Sequence, residues 1–133
     1  MDIKRLQSLP LFQGVGDNDL EMLAGMFQSA EMMAGSSLAK QGDFAYKFFV
    51  VLEGTVEVYR DYKHIADLGP GEFFGEIGVL ADARRNARVT AKTRVDLVWM
   101  MPWDFERMRS EIPDVGARID AVVDERMADL RGK

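Results

Sequence analysis

The feature that most constrains the fold is a set of short apolar runs, separated by glycines, in the middle of the chain. Residues 48–52 and 55–59 are rich in Val, Phe and Tyr, and Glu53 and Gly54 separate them, which is typical of consecutive strands. The same pattern predicts three later strands, over residues 64–68, 88–93 and 95–101. Because short strands bury a core only when several pack together, they favour a small antiparallel β-roll or jelly roll.

Both ends of the chain carry helical patterns instead. Residues 2–9 form a short amphipathic segment that Pro10 ends, and Asp17 is predicted to cap a second helix. After the strands, Pro102 suits the first turn of a helix. Pro113 and Gly116 are expected to interrupt that helix.

A last helix is predicted over residues 118–130, with an apolar and a charged face. The apolar stripe comprises Ile119, Val122, Val123, Met127 and Leu130. Arg118 and Arg126 alternate with acidic residues, which predicts a solvated face. The 133 residues can bury one core, so we expect a single domain with three parts. These are helices in 1–28, a mainly β region in 29–101 and helices in 102–133.

Composition narrows the class of protein. The chain has no cysteine, no apolar run of membrane-spanning length and no signal-peptide core in residues 1–5, so we expect a cytoplasmic protein without membrane contact. A net charge of −5 argues against direct nucleic-acid binding, which needs a basic surface. Positive charge is concentrated in one stretch of the sequence, which suits a small anion better than a polymer. The residues are Arg84, Arg85, Arg88, Lys92 and Arg94.

Residues 71–89 carry the most specific chemistry. Gly75 has no side chain to keep its backbone from a ligand, and residues 76–80 can form one helical turn with free N–H groups at its start. Arg85 can donate two parallel hydrogen bonds to a phosphate. Glu76 has the wrong charge for a phosphate but can accept a hydrogen bond from a sugar hydroxyl. The segment therefore indicates a ligand in which a phosphate is joined to a sugar.

The chain resembles the cyclic nucleotide-binding domain, the sensor module of catabolite-activator-type regulators, protein kinase A regulatory subunits and gated ion channels. The resemblance covers essentially the whole chain. Residues 74–80, followed by residues 85–89, are similar to the phosphate-binding cassette of the family, which we place at 71–89. Residues 41–43, with the strand at 48–52 and Gly54, are similar to its glycine–turn–strand pattern.

The resemblance implies a β-roll (double-stranded β-helix) that holds cyclic AMP or cyclic GMP, with a short cassette helix and C-terminal lid helices. Arg85 would bind the cyclic phosphate and Glu76 the ribose 2′-hydroxyl. The turn that presents backbone amides would be lined by Gly75, Ile77 and Gly78. In this family the final helix closes over the base and relays binding to a partner domain, and the candidates for the base contact are Arg126 and Met127.

Four further positions complete the predicted site. Asn86 and Ala87 follow the phosphate-binding arginine, and Asn86 could bond the phosphate or the base. Arg88 adds a second positive charge near the phosphate if it points inward, and is solvated surface if it points outward. Phe74 is a candidate neighbour of the ligand, although Phe73 and Phe74 are better explained as packing residues.

Other interpretations remain open. Glu76 and Arg85 could form a structural ion pair in a domain whose pocket is empty. That domain would be a protein-interaction or dimerisation module, with a homodimer contact through the C-terminal helix. The chain could also be the sensor half of a transcription regulator whose natural form continues beyond Lys133. In each case the effector is unidentified.

We predict no enzyme and no resident cofactor or metal. With one histidine and no cysteine, the sequence offers no catalytic set for nucleophilic chemistry, and no Walker-type Lys-Ser/Thr pair follows the glycines. His64 follows a predicted turn and is expected to be exposed.

Overall fold

The computed structural model describes residues 2–38, 47–60, 62–75 and 87–131. Four helices, numbered α1 to α4, and a 3₁₀ turn at Pro10–Phe12 occur in these ranges. The helices are α1 (Ile3–Gln7), α2 (Asp17–Met26), α3 (Pro102–Glu111) and α4 (Pro113–Arg131). The predicted cassette helix lies outside the described residues.

Eight strands, β1 to β8, account for the rest of the regular structure in the described ranges. They are β1 (Gln28–Met32), β2 (Ser37–Leu38), β3 (Phe48–Glu53), β4 (Val56–Arg60), β5 (Lys63–Leu68), β6 (Phe73–Phe74), β7 (Ala87–Ala91) and β8 (Val95–Met100). The first sheet has the order β1-β8-β3-β6 and the second sheet the order β2-β7-β4-β5, and neighbouring strands among those described are antiparallel. This confirms the predicted antiparallel roll with flanking helices.

Two apolar clusters fill the molecule. The roll interior lies between the two sheets and includes Phe49, Val51, Phe74, Val89 and Leu97. The helical core lies between the first sheet and the helices, and includes Phe12, Leu20, Phe48, Phe105 and Ile119. Strand β3 contributes alternate residues to both clusters, which explains why the sequence over 48–52 is continuously apolar rather than alternating.

Two predictions at helix boundaries are wrong. Asp17 is the first residue of α2 rather than its cap, because Gly16 occupies the cap position. The helix that Pro102 begins ends at Glu111, so the prediction that Pro113 interrupts it is confirmed. Pro113 then begins α4, since a proline at the first helical position loses no intrahelical hydrogen bond. The same prediction for Gly116 is wrong. Gly116 lies within α4, where an added Cβ would come 2.6 Å from the carbonyl oxygen of Arg109 in α3.

The C-terminal helix α4 packs on the domain with its apolar face and with two of its arginines. Ile119 is fully buried in the helical core, and Val122 and Val123 pack against that core. Arg118 donates a hydrogen bond of 2.8 Å to the carbonyl oxygen of Leu11. The prediction of a wholly solvated charged face is therefore wrong for Arg118.

Among the described helices, none combines the length and the apolar character that crossing a membrane would require.

Candidate functional site

The entry to the predicted cassette is fixed by strand β6. Phe74 pairs with Phe49 and Phe73 with Val50 at the edge of the first sheet. The turn before β6 is tied to β3, because the Gly71 amide donates to the carbonyl of Val51 at 2.8 Å and the Val51 amide donates to the carbonyl of Glu72 at 2.9 Å. These bonds hold the start of the cassette in one position relative to the sheet.

Gly75 follows β6 in a left-handed conformation, with φ of +94°. A Cβ atom at this position would lie 2.2 Å from the carbonyl oxygen of Lys47, far closer than van der Waals contact. Only glycine fits here without moving the backbone. The close approach that the sequence predicts at Gly75 is thus made by the backbone of Lys47, and an approach of ligand stays a prediction.

Phe73 and Phe74 point to opposite sides of the first sheet. The Phe73 ring is 5% exposed and joins the helical core, where its centroid lies 5.4 Å from that of Phe48. The Phe74 ring is 4% exposed and stacks on Phe49 in the roll interior, with centroids 4.7 Å apart. The prediction that both residues pack in a core is confirmed.

An aromatic row with a lysine at its end borders the cassette entry. Phe74, Phe49 and Trp99 are neighbours across β6, β3 and β8, and all three contact the roll interior. The Lys47 ammonium lies 4.3 Å from the centroid of the Trp99 ring, which is a cation–π contact. Sequence reasoning missed Lys47 and Trp99. Because Lys47 lies two residues before Phe49, the strand period would have placed the Lys47 side chain on the same face as the Phe49 ring.

Strand β7 forms the exit from the cassette in the second sheet. Ala87 begins it and pairs with Arg60, while Val89 and Ala91 are buried in the roll interior. Arg88 lies on the opposite face, because neighbouring strand residues alternate sides. Its guanidinium lies over the Tyr59 ring at 5.2 Å. Of the two predicted orientations of the Arg88 side chain, the structure shows the outward one.

Helix α4 reaches the cassette entry from the helical side. The Arg126 guanidinium lies 5.0 Å from the centroid of Phe73, and Met127 is half-buried beside it in the sequence. Phe73 belongs to the helical core rather than to the roll interior. Arg126 therefore contacts the back of the strand that leads into the cassette, and a contact with a base in the roll stays a prediction.

The remaining predicted site residues lie outside the described residues: Glu76, Ile77, Gly78, Arg85 and Asn86. The suggested ion pair between Glu76 and Arg85 lies there too. The described strands on either side of them are β6, at the edge of the first sheet, and β7, in the second sheet.

The predicted local patch of positive charge is wrong for two of its members. Lys92 lies 3.5 Å from Asp67, and Arg94 lies 2.8 Å from Glu31 and 3.4 Å from Asp96. The hydrogen bond from Arg94 lowers the pKa of Glu31 below its ordinary value. Lys92 and Arg94 are therefore paired with carboxylates of neighbouring strands rather than left free for an anion.

Comparison with known proteins decides the family. The model for the cyclic nucleotide-binding domain matches residues 30–111, which contain the β-roll from Ala30 onward, the whole predicted cassette and α3. The chain belongs to the cyclic nucleotide-binding domain family. This confirms the resemblance drawn from the cassette residues.

Two curated relatives illustrate the range of proteins in which similar domains occur. A cyclic nucleotide-gated potassium channel from Rhizobium etli is 30% identical over 119 residues, or 90% of this chain and 33% of the channel. A cyclic AMP receptor protein from Thermus thermophilus is 27% identical and matches 94% of this chain and 61% of its own length. The chain thus spans about a third of the first of these relatives and under two thirds of the second.

Solved structures share the fold. The catabolite activator protein of Thermus thermophilus superposes with a TM-score of 0.77 at 28% identity, over 92% of this chain and 61% of that chain. The regulatory subunit of a cAMP-independent protein kinase A from Trypanosoma brucei gives 0.76 at 28% identity, over 90% and 46%. The predicted fold class is therefore confirmed.

Proposed function

We propose that this domain is a regulatory sensor that binds a 3′,5′-cyclic nucleotide, cyclic AMP or cyclic GMP, in the roll beside the cassette. The observation that carries the proposal is the family match over residues 30–111, which includes both Glu76 and Arg85. The described geometry supports it, because β6 and β7 hold the two ends of the cassette on opposite sheets. We expect no catalytic activity, and we place the domain in the cytoplasm.

Each cassette residue has a role that follows from its chemistry. Arg85 binds the cyclic phosphate through charge-assisted hydrogen bonds, and Glu76 accepts from the ribose 2′-hydroxyl. Asn86 and Ala87 lie next to the phosphate. The amides around Gly75, Ile77 and Gly78 supply further donors.

Helix α4 is the proposed output element. Phe73 and Phe74 are consecutive residues, so a ligand that moves the Phe74 side of β6 also moves Phe73, on which Arg126 lies at 5.0 Å. A ligand shifts α4 only to the extent that it binds one position of β6 more tightly than another. Arg126 and Met127 would reach the base only after α4 moves from its present contact.

Calorimetric titration tests the proposal. Cyclic AMP or cyclic GMP should give a saturable one-to-one binding curve and raise the melting temperature, because a ligand that binds only the native state stabilises it. The linear 5′-monophosphate of the preferred base is the control, since it keeps the base and the sugar but lacks the cyclic diester. No heat and no thermal shift with either cyclic nucleotide at millimolar concentration would refute the function.

A second candidate function is a protein-interaction or dimerisation module with no cyclic nucleotide. The observation that favours it is the similarity to a regulatory subunit of a kinase described as cAMP-independent. A homodimer through α4 would need a surface other than Ile119, which is fully buried in this domain's own helical core. Light scattering combined with the nucleotide titration separates the two functions, because a dimerisation module should show twice the monomer mass and no nucleotide binding.

A further inference from the structure

A polar cluster lies on the outer face of the second sheet, the face turned away from the roll interior. Its members are Glu57 on β4 and His64 and Asp67 on β5. Glu57 and Asp67 are directly opposite in the antiparallel register. The proposed nucleotide function uses none of these residues, because the neighbouring positions Val56, Val58, Ala66 and Leu68 are the ones that contact the roll interior.

A β-bulge brings the only histidine of the chain into this cluster. His64 and Asp67 are three residues apart on β5, so a regular strand would place them on opposite faces. The register shifts between Val58 and Tyr59, so that Val58 pairs with Ala66 but Tyr59 pairs with His64. The extra residue, Ile65, reverses the alternation and turns His64 to the same side as Asp67.

The three side chains converge at short range. His64 Nε2 lies 2.6 Å from Asp67 Oδ1 and 4.0 Å from Glu57 Oε2, and the three ligand atoms all lie within 4.8 Å of one another. Ligand atoms on one zinc ion are about 3 Å apart, given bonds of roughly 2 Å. Small side-chain rotations would therefore let all three reach a common ion.

We propose that Glu57, His64 and Asp67 form a binding site for a divalent first-row transition metal such as Zn²⁺. An imidazole nitrogen with two carboxylates is a donor set that suits Zn²⁺ and its neighbours better than the oxygen-only sets of Ca²⁺ or Mg²⁺. Because the metal needs the lone pair of Nε2, the imidazole proton is held on Nδ1 in the bound state, and the metal replaces the hydrogen bond between His64 and Asp67.

The nearby charges predict whether a substitution strengthens or weakens metal binding, an effect that a cluster without a metal would not show. The Lys92 ammonium lies 3.5 Å from Asp67 Oδ2 and opposes a second cation. Tyr59 donates a hydrogen bond of 3.5 Å to Glu57 Oε2 and contacts the His64 ring edge-on. The Arg88 guanidinium lies 5.2 Å from the centroid of the Tyr59 ring. Removing the Lys92 charge should tighten metal binding, by about 1.4- to 5-fold for an exposed ion pair.

The experiment uses the untagged chain, in which His64 is the only histidine. Zn²⁺ is titrated as the chloride by calorimetry, and the His64 imidazole signals are followed by NMR. Wild-type protein should bind one ion and shift those signals. His64→Gln and Asp67→Asn should weaken binding by about 10-fold or more, and Lys92→Met should tighten it.

Glu21→Gln is the matched control, because it removes one exposed carboxylate from α2 on the helical side of the molecule. Melting curves with Zn²⁺ omitted establish that each variant folds. The proposal is overturned if millimolar Zn²⁺ leaves the imidazole signals unshifted, or if His64→Gln binds Zn²⁺ as well as Glu21→Gln does. Neither result depends on cyclic nucleotide binding.

Discussion

The two sheets of the roll differ in what covers them. Strands β3, β6 and β8 of the first sheet pack residues into both the helical core and the roll interior. The second sheet packs its inner face on the roll interior, and its outer face carries Glu57, Tyr59, His64, Asp67 and Arg88. The first sheet can therefore transmit a change at the cassette to the helices, while the outer face of the second sheet can carry polar groups at little cost in stability.

The largest expected effect is the loss of Phe48, which lies at the centre of the doubly covered sheet. Its ring is fully buried and its centroid lies 4.6 Å from that of Phe105 in α3. Phe48→Ala should lower the free energy of unfolding by about 3–5 kcal/mol, measured by urea denaturation. Tyr59→Ala, on the outer face of the second sheet, should cost about 1 kcal/mol or less. Equal losses would contradict the difference between the sheets.

The next effect concerns the glycine at the cassette entry. Gly75→Ala places a Cβ 2.2 Å from the Lys47 carbonyl oxygen in a left-handed conformation, so we expect a loss of about 1–3 kcal/mol in stability. It should also weaken nucleotide binding, because the cassette entry must shift.

Gly25 gives a control of opposite sign. It lies in α2 with nothing within 4 Å of a Cβ at its position, and Gly25→Ala should stabilise by about 0.5–1 kcal/mol. Thermal melts of both variants check the pair. A Gly75→Ala protein as stable as the wild type would show that the contact with Lys47 is not tight.

A smaller effect tests the contact between α4 and β6. Arg126→Met should cost about 0.5–2 kcal/mol, the range for a cation–π contact, and should reduce the change in α4 hydrogen exchange on adding nucleotide. Arg107→Met in α3 is the control, because Arg107 pairs at 2.7 Å with Glu111 on an exposed surface. If nucleotide protects α4 equally in both variants, Arg126 does not couple the cassette to the helix.

The smallest effect is a pH dependence at the outer face of the second sheet. The hydrogen bond from His64 lowers the pKa of Asp67 in the folded state. The stabilisation is therefore complete above the ordinary aspartate pKa of about 3.9 and is lost as the pH falls through the lower native value. Melting temperatures of the wild type and Asp67→Asn should converge in acid. A constant difference at all pH values would contradict this.

Individual residues show why part of the fold and of the candidate site could be predicted from the sequence and part could not. Strands β3, β4, β5 and β8 have clear apolar patterns, but β1 has only Met32 buried and gave no signal. The outward position of Arg88 follows from Val89 and the strand period. By contrast, the contact of Lys47 with Trp99 depends on cross-strand register, and the turning of His64 depends on a bulge. Neither the cross-strand register nor the bulge produces a local sequence pattern.

The central claim is that Arg85 holds the phosphate of a cyclic nucleotide, and one pair of titrations tests it most directly. Arg85→Ala should weaken binding of the preferred cyclic nucleotide by roughly 10- to 150-fold, the equivalent of about 1.5–3 kcal/mol. Arg88→Ala removes the same charge three residues later, from a side chain that lies outward over Tyr59. It should change the affinity by no more than about 5-fold. Equal affinities for the two variants would contradict the account.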